Sequence, residues 1–217
     1  MTEPVTDPRN NWGFNATSDL PPESVGPFTP LGDLEVANYD GTEGIDISFD
    51  TDLQEMSRTE RFRESWTFVP ILEPVENGSQ RLTGLSYTRD SWRPLSADSF
   101  EQKPLHSETG YLLWDGANGH AYRVVAMPRG VTLLAVAANV TAQSDELLFV
   151  ADPTSDELVR GGVQSNPILT ASAMTIRYTS TMRIASDSTW FSYDDSVEQS
   201  RDGQDVRHTD SNRLYRI

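Results

Sequence analysis

Lys103 to Met127 reads KPLHSETGYLLWDGANGHAYRVVAM, and this stretch decides the fold. Leu105, Ser107, Thr109, Tyr111 and Leu113 alternate with His106, Glu108, Gly110, Leu112 and Trp114, as on an extended strand whose side chains point to opposite faces. Asp115-Gly116-Ala117-Asn118-Gly119 supplies turn chemistry, since Gly and Asn tolerate the positive φ of a tight hairpin. A return strand follows, with Tyr122, Val124 and Ala126 on one face and Arg123, Val125 and Met127 on the other. His106 and Glu108 are two residues apart on one strand, so they point to the same side.

Outward from this hairpin the same alternation recurs. Gly44 to Phe49, Phe62 to Ile71 and Leu82 to Arg93 are expected strands before it. Thr51 to Glu60 reads as a polar connection, and Pro70 and Pro74 are expected to close the second strand. Val131 to Val140, Glu146 to Ala151, Thr170 to Ile184, Thr189 to Val197 and Asn212 to Ile217 are expected strands after it. Thr170 to Ile184 is the cleanest pattern. Ser172, Met174, Ile176, Tyr178, Ser180, Met182 and Ile184 share one side, with Arg177 and Arg183 on the solvated one. Upstream, residues 1–27 carry five prolines and no periodicity, which predicts a disordered or loosely packed acidic tail. Thr29-Pro30 then opens a short helix, with Thr as N-cap and Leu31, Leu34 and Val36 facing inward. Residues 28–217 are expected to form a single domain.

About ten strands at hairpin spacing, with almost no helix, predict an all-β, antiparallel up-and-down β-barrel of lipocalin or fatty-acid-binding-protein type. An open sheet of that many long strands curls and closes. A barrel of ~10 strands is too wide to be filled by its own side chains, so the interior is expected to hold a cavity. Its predicted lining is mixed: Phe68, Met174, Ile176, Tyr178 and Met182 beside His106 and Glu108. An apolar hollow with a few placed polar groups is how small-molecule sites are built.

Composition narrows the partners. The formal net charge of −16 repels phosphate backbones and anionic lipid, so neither nucleic acid nor a membrane surface is expected as a partner. The chain has no cysteine, which removes disulfides, thiolate metal sites and a cysteine nucleophile. No segment approaches the ~20 apolar residues of a membrane span, and Met1 to Asp19 lacks the parts of a signal peptide. A cytoplasmic setting is expected.

Three stretches resemble one family. PLHSETGY at Pro104 to Tyr111 resembles the His-x-Glu-x-Gly-Tyr strand of nitrobindins and the wider fatty-acid-binding-protein-like bacterial family. ANYDGTEGID at Ala37 to Asp46 resembles the opening Gly-Thr-Trp-x-Gly-x-x-Gly segment of that family, with Gly41 and Gly44 matching and Ala37 and Tyr39 replacing Gly and Trp. MPRGVTLLA at Met127 to Ala135 and HTDSNRLYRI at His208 to Ile217 are similar to a ferric nitrobindin-like branch. The resemblance runs from about Leu31 to the C-terminus. It implies a ten-stranded barrel with a short helix near its mouth. It also implies haem b held by a histidine near the C-terminus, nitric oxide binding, and isomerisation of peroxynitrite to nitrate at ferric iron. His208 is the residue near that ligand position, followed by Thr209-Asp210 where the family has Leu.

The expected function is an intracellular barrel that binds a small apolar or amphipathic ligand, lipid or haem, through His106, Glu108, Tyr178, Met174 and Met182. The alternative is a haem-dependent peroxynitrite isomerase with His208 as proximal ligand to the iron. His106 and Glu108 read either as a structural hydrogen-bonded pair or as an anchor for a ligand head group. His208 reads either as a loop histidine capped by its neighbours or as the haem ligand, with Asp210 fixing its tautomer. Asp194-Asp195 reads as a solvated acidic face. No residue stands out as catalytic.

Overall fold

The computed structural model describes residues 22–32, 35–50, 55–78, 80–94, 102–154, 161–201 and 204–217. Eleven strands follow one another: β1 (Ala37–Asp50), β2 (Glu55–Asn77), β3 (Gln80–Pro94), β4 (Gln102–Asp115), β5 (His120–Met127), β6 (Val131–Ala138), β7 (Glu146–Ala151), β8 (Gly162–Ser165), β9 (Met174–Ile184), β10 (Trp190–Arg201) and β11 (Gln204–Arg216). A short helix α1 (Pro167–Ser172) separates β8 from β9. The pairings are antiparallel between sequence neighbours, and β1 meets β11 while β5 meets β6. The sheet therefore closes into the expected all-β barrel with ten positions around the ring. β7 and β8 share one position beside β6: β8 pairs with Val131–Leu134 and β7 with Val136.

That shared position is a seam. Gly161 lies where the three strands meet. A Cβ there would stand 2.3 Å from the Leu134 carbonyl oxygen and 2.6 Å from Ala151 Cα. Only a residue without a side chain lets β7 and β8 approach β6 together.

The hairpin forms as its sequence predicts. Asp115 caps the turn, accepting from the backbone N–H and side-chain amide of Asn118, and Gly119 takes φ 64°. Elsewhere the strands are longer than expected. β1 begins at Ala37, β2 begins at Glu55 and continues past Pro70 and Pro74, and β11 begins at Gln204. A register shift between Ile71 and Val75 accommodates Pro74, while Pro70 stays paired with Leu85 beyond the last β1 pairing at Phe68; neither can donate to a ladder. The expected single strand from Thr170 to Ile184 is instead a helix followed by a strand. Asn166 accepts from the N–H groups of Ile168 and Leu169, and Pro167 fills the first helical turn, so α1 forms before β9 starts.

One end of the barrel is solid. Pro22–Leu31 forms a kinked 3-10 stretch, with prolines too frequent for an α-helix, and buries Val25, Phe28 and Leu31 against β3 and β4. The expected helix therefore ends near Leu31 rather than starting at Thr29, and Val36 is 56% exposed rather than inward. Leu34 and residues 1–21 lie outside the described residues. The bend sits at Gly26, φ 59°, where a Cβ would stand 2.2 Å from the Trp114 ring. Beneath this plug, Tyr39 meets Phe191 edge to face at 5.1 Å and Trp66 stacks on Tyr87 at 5.0 Å, with Phe68 among them. Each such pair adds about 0.5–1.5 kcal/mol beyond area burial. The Tyr39 hydroxyl is shared between the carbonyls of Pro30 (3.0 Å) and Ser188 (3.2 Å), which ties the plug to the β9–β10 turn.

Candidate functional site

Along several strands the inner face changes from apolar to charged at the same height. β3 turns Leu85 and Tyr87 inward, then Arg89; β4 turns Leu112 and Gly110, then Glu108; β10 turns Phe191 and Tyr193, then Asp195. β5 adds Arg123 between Ala121 and Val125, and β2 adds Glu64 beside Trp66. Register aligns them: Arg89 is the direct cross-strand partner of Glu108. Asp46, Asp210 and Asp195 are successive partners across β1, β11 and β10. Like charges directly opposite one another are destabilising, so this row of aspartates needs cations close by.

Arg89 and Arg123 supply them. Arg89 Nε meets Glu64, its Nη1 lies 3.4 Å from Asp195, and its Nη2 donates to the Tyr193 hydroxyl at 2.6 Å. Arg123 Nη1 donates to Ser180 at 3.0 Å and Asp195 at 3.1 Å, and its Nη2 to Glu108 at 3.0 Å. Tyr87 donates to Glu108 (2.9 Å), while Tyr193 and Asn212 donate to Glu64 (2.8 and 3.2 Å). Both guanidinium groups lie over the Trp66 ring, at 5.3 and 5.4 Å. Burial works to raise the Glu108 carboxyl, but Arg123, Arg89 and His106 overcome it and hold it well below the usual carboxylate range. Gly110 makes room for this layer: a Cβ there would stand 1.9 Å from the Val124 carbonyl oxygen and 3.0 Å from the Tyr87 ring.

Above the charged layer lies a cavity of about 230 Å³. Val125, Leu133, Val163, Leu169 and Val197 form an apolar wall; Arg123, Tyr178 and Asp195 belong to the floor. Two histidines stand near the mouth. His106 Nε2 is 2.8 Å from Glu108, which links the mouth to the floor. His208, opposite Val197 on β11, places Nε2 3.3 Å from Asp210 and 3.9 Å from Asp46. Burial works to lower the His208 pKa, but Asp210 and Asp46 outweigh it and raise the value above that of an ordinary histidine. Asp210 is correspondingly lowered: its hydrogen bond to His208 overcomes burial.

The structure brings four of the six expected residues together around this cavity: His106, Glu108, Tyr178 and His208. Met174 and Met182 are elsewhere. A bulge opposite Glu198 and Gln199 reverses the alternation of β9, so Thr175 lines the cavity and Met174 is 46% exposed outside it. The same bulge takes Ile176 off the inner face. Met182 is buried among the apolar side chains of the closed end. The expected solvated pair Asp194-Asp195 splits: Asp194 is exposed and pairs with Arg183, while Asp195 is 5% exposed in the floor. Arg89 and Arg123 were legible only by parity, since each shares a face with apolar neighbours two residues away.

Haem needs an axial nitrogen with a free lone pair. Both cavity histidines turn Nε2 onto carboxylates, which leaves Nδ1 as the other ring nitrogen of each. Tyr178, the other candidate donor, is held as a neutral phenol by burial, although Arg123 pulls the other way. Asp46, His208 and Asp210 do bring one donor atom each within 4.8 Å of one another.

Among the described residues no helix is long and apolar enough to cross a membrane. No curated protein matches the chain. A family model described as the THAP4-like, heme-binding beta-barrel domain matches residues 51–216.

Proposed function

Because the chain belongs to the THAP4-like, haem-binding β-barrel family, we propose that it is a binding protein for a small amphipathic molecule held in the open half of the barrel. The observation that carries this is the cavity itself: a hollow of about 230 Å³ with an apolar wall and a floor fixed by charge pairs. A polar group at the end of an apolar chamber orients a guest, and rigid pairs keep it in place before the guest arrives. Native mass spectrometry and calorimetry with fatty acids, small aromatics and haem test the reading. Stoichiometric binding of at least one class supports it, and no binding of any class refutes it.

The second reading is haem b binding with His208 as ligand and peroxynitrite isomerisation as the activity. Its support is the family and the place of His208 at the cavity mouth. Asp210 lies 3.3 Å from Nε2 and leaves Nδ1 as the nitrogen for iron, so replacing Asp210 with Asn is expected to weaken haem uptake, followed by the Soret band. A haem titration without a Soret shift, or with a shift indifferent to His208→Ala, removes this reading.

A further inference from the structure

We propose that the outer face of β2 to β6 is a docking belt for the chain's own residues 1–21, seated by Trp12 and Phe14.

Register builds the belt. Tyr111, Val124 and Leu134 are direct cross-strand partners on β4, β5 and β6, and Leu113 and Tyr122 pair in the next row. Their chain neighbours Leu112, Val125 and Leu133 are buried in the barrel, so these five side chains point outward. Tyr111 is 47% exposed and Leu134 41%. Both rows continue across β3 and β2, and a third row, mostly threonine, flanks them. None of the three rows carries a charged side chain between β2 and β6, although 23% of the chain is charged. Five strands at ~4.8 Å and three rows at ~6.8 Å make a patch of roughly 24 Å by 20 Å. Apolar patches of a few hundred Å² on a monomer are often functional.

Shape and size select the occupant. The outside of a barrel is convex, so a second copy would meet it along a narrow line, far short of the ~800 Å² per partner of a stable interface. A single extended segment can follow the curve instead. Two aromatic side chains bury ~150–250 Å² each, together about the area of the two apolar rows.

Residues 1–21 supply such a segment. Trp12 and Phe14 are two apart, so on an extended chain they share a face, and their spacing matches that between neighbouring rows of the belt. Pro4, Pro8 and Pro21 disfavour a helix in this stretch. The segment also starts from the right place. Gly26 packs against the Trp114 ring, and Trp114 follows Leu113 of the belt. At ~3.3 Å per residue, the chain from Trp12 to Gly26 reaches at most roughly 46 Å, more than the height of the belt.

The chain has no cysteine, so Asn15→Cys gives a single site for a nitroxide label on the full-length protein. Amide signals are read by NMR with the label oxidised and then reduced. Tyr111, Val124 and Leu134 are expected to lose most of their signal in the oxidised state. Glu198 and Arg207, across the barrel on β10 and β11, are expected to keep theirs. Trp12→Ala combined with Phe14→Ala should restore the lost signal. Tyr111→Glu should restore it too, while an unchanged amide shift at buried Phe68 shows that the barrel is folded. Full intensity at the belt, or a loss that neither variant restores, overturns the inference. A mixture of labelled chains with isotope-enriched unlabelled ones tests the second copy. A loss in that mixture as large as within one chain, or a dimer in light scattering that Tyr111→Glu dissolves, gives the belt to another molecule and also overturns it.

Discussion

At the closed end of the barrel Phe28, Leu31, Tyr39, Phe68 and Phe191 fill the space between the strands. A few residues further along the same strands, Arg89, Glu108, Arg123 and Asp195 fill less of it and leave a cavity. Most of the strands are shared, so the difference lies in their inward side chains and in the Pro22–Leu31 plug that covers one end. Large rings meeting edge to face fill the closed end together with the plug. Charged side chains must instead hold one another at fixed distances, because each is costly to bury alone, and that fixed spacing preserves the hollow. One half is stabilised by volume and the other by pairing.

The sharpest way to break this contrast is Arg123→Met. It leaves Glu108 and Asp195 without their main partner in a dry layer, a loss of about 3–5 kcal/mol, read by chemical denaturation. Leu31→Ala should cost about 2–5 kcal/mol through the vacancy it leaves in the plug. It should leave probe binding in the cavity unchanged; a parallel loss of binding would mean that the halves are not separable. Tyr39→Phe removes one hydroxyl shared by two carbonyls and should cost about 1 kcal/mol, seen as a lower Tm.

The smallest effect is at the mouth. The raised pKa of His208 means that its contribution is complete below the ordinary histidine value and is lost as pH rises through the raised one. Asp210, lowered, contributes above the ordinary carboxylate value and is lost as pH falls through its depressed one. The pair therefore adds stability from mildly acid to near-neutral pH, on the order of 1 kcal/mol for a half-buried pair. Asp210→Asn should flatten that pH dependence and lower the His208 pKa, measured by NMR titration of the imidazole.

The ring of strands was legible because alternation is a strong local signal, and the family match covers most of it. The glycine-flanked hairpin and the His106–Glu108 pair were read from the same pattern. What escaped depends on single insertions or on distant partners. The β9 bulge moves Met174 outside, and nothing within β9 announces it, since a bulge is set by what the neighbouring strand demands. The inward turn of Asp195 is invisible without Arg123, 72 residues away. The plug was misread because prolines at 22, 27 and 30 argue locally against helix, while burial of Val25, Phe28 and Leu31 overrides that with a 3-10 path.

The line where β6 hands over from β8 to β7 has a consequence for size. A lone bridge at Val136 and a glycine stand there in place of a full ladder, beside the Leu133 and Val163 wall of the cavity. This is where lateral strength is least, so amides around Leu134 and Val136 are expected to exchange with solvent sooner than those of the unbroken β3–β4 ladder. A guest too bulky for the chamber, a porphyrin included, would gain room by prising the barrel apart along this line.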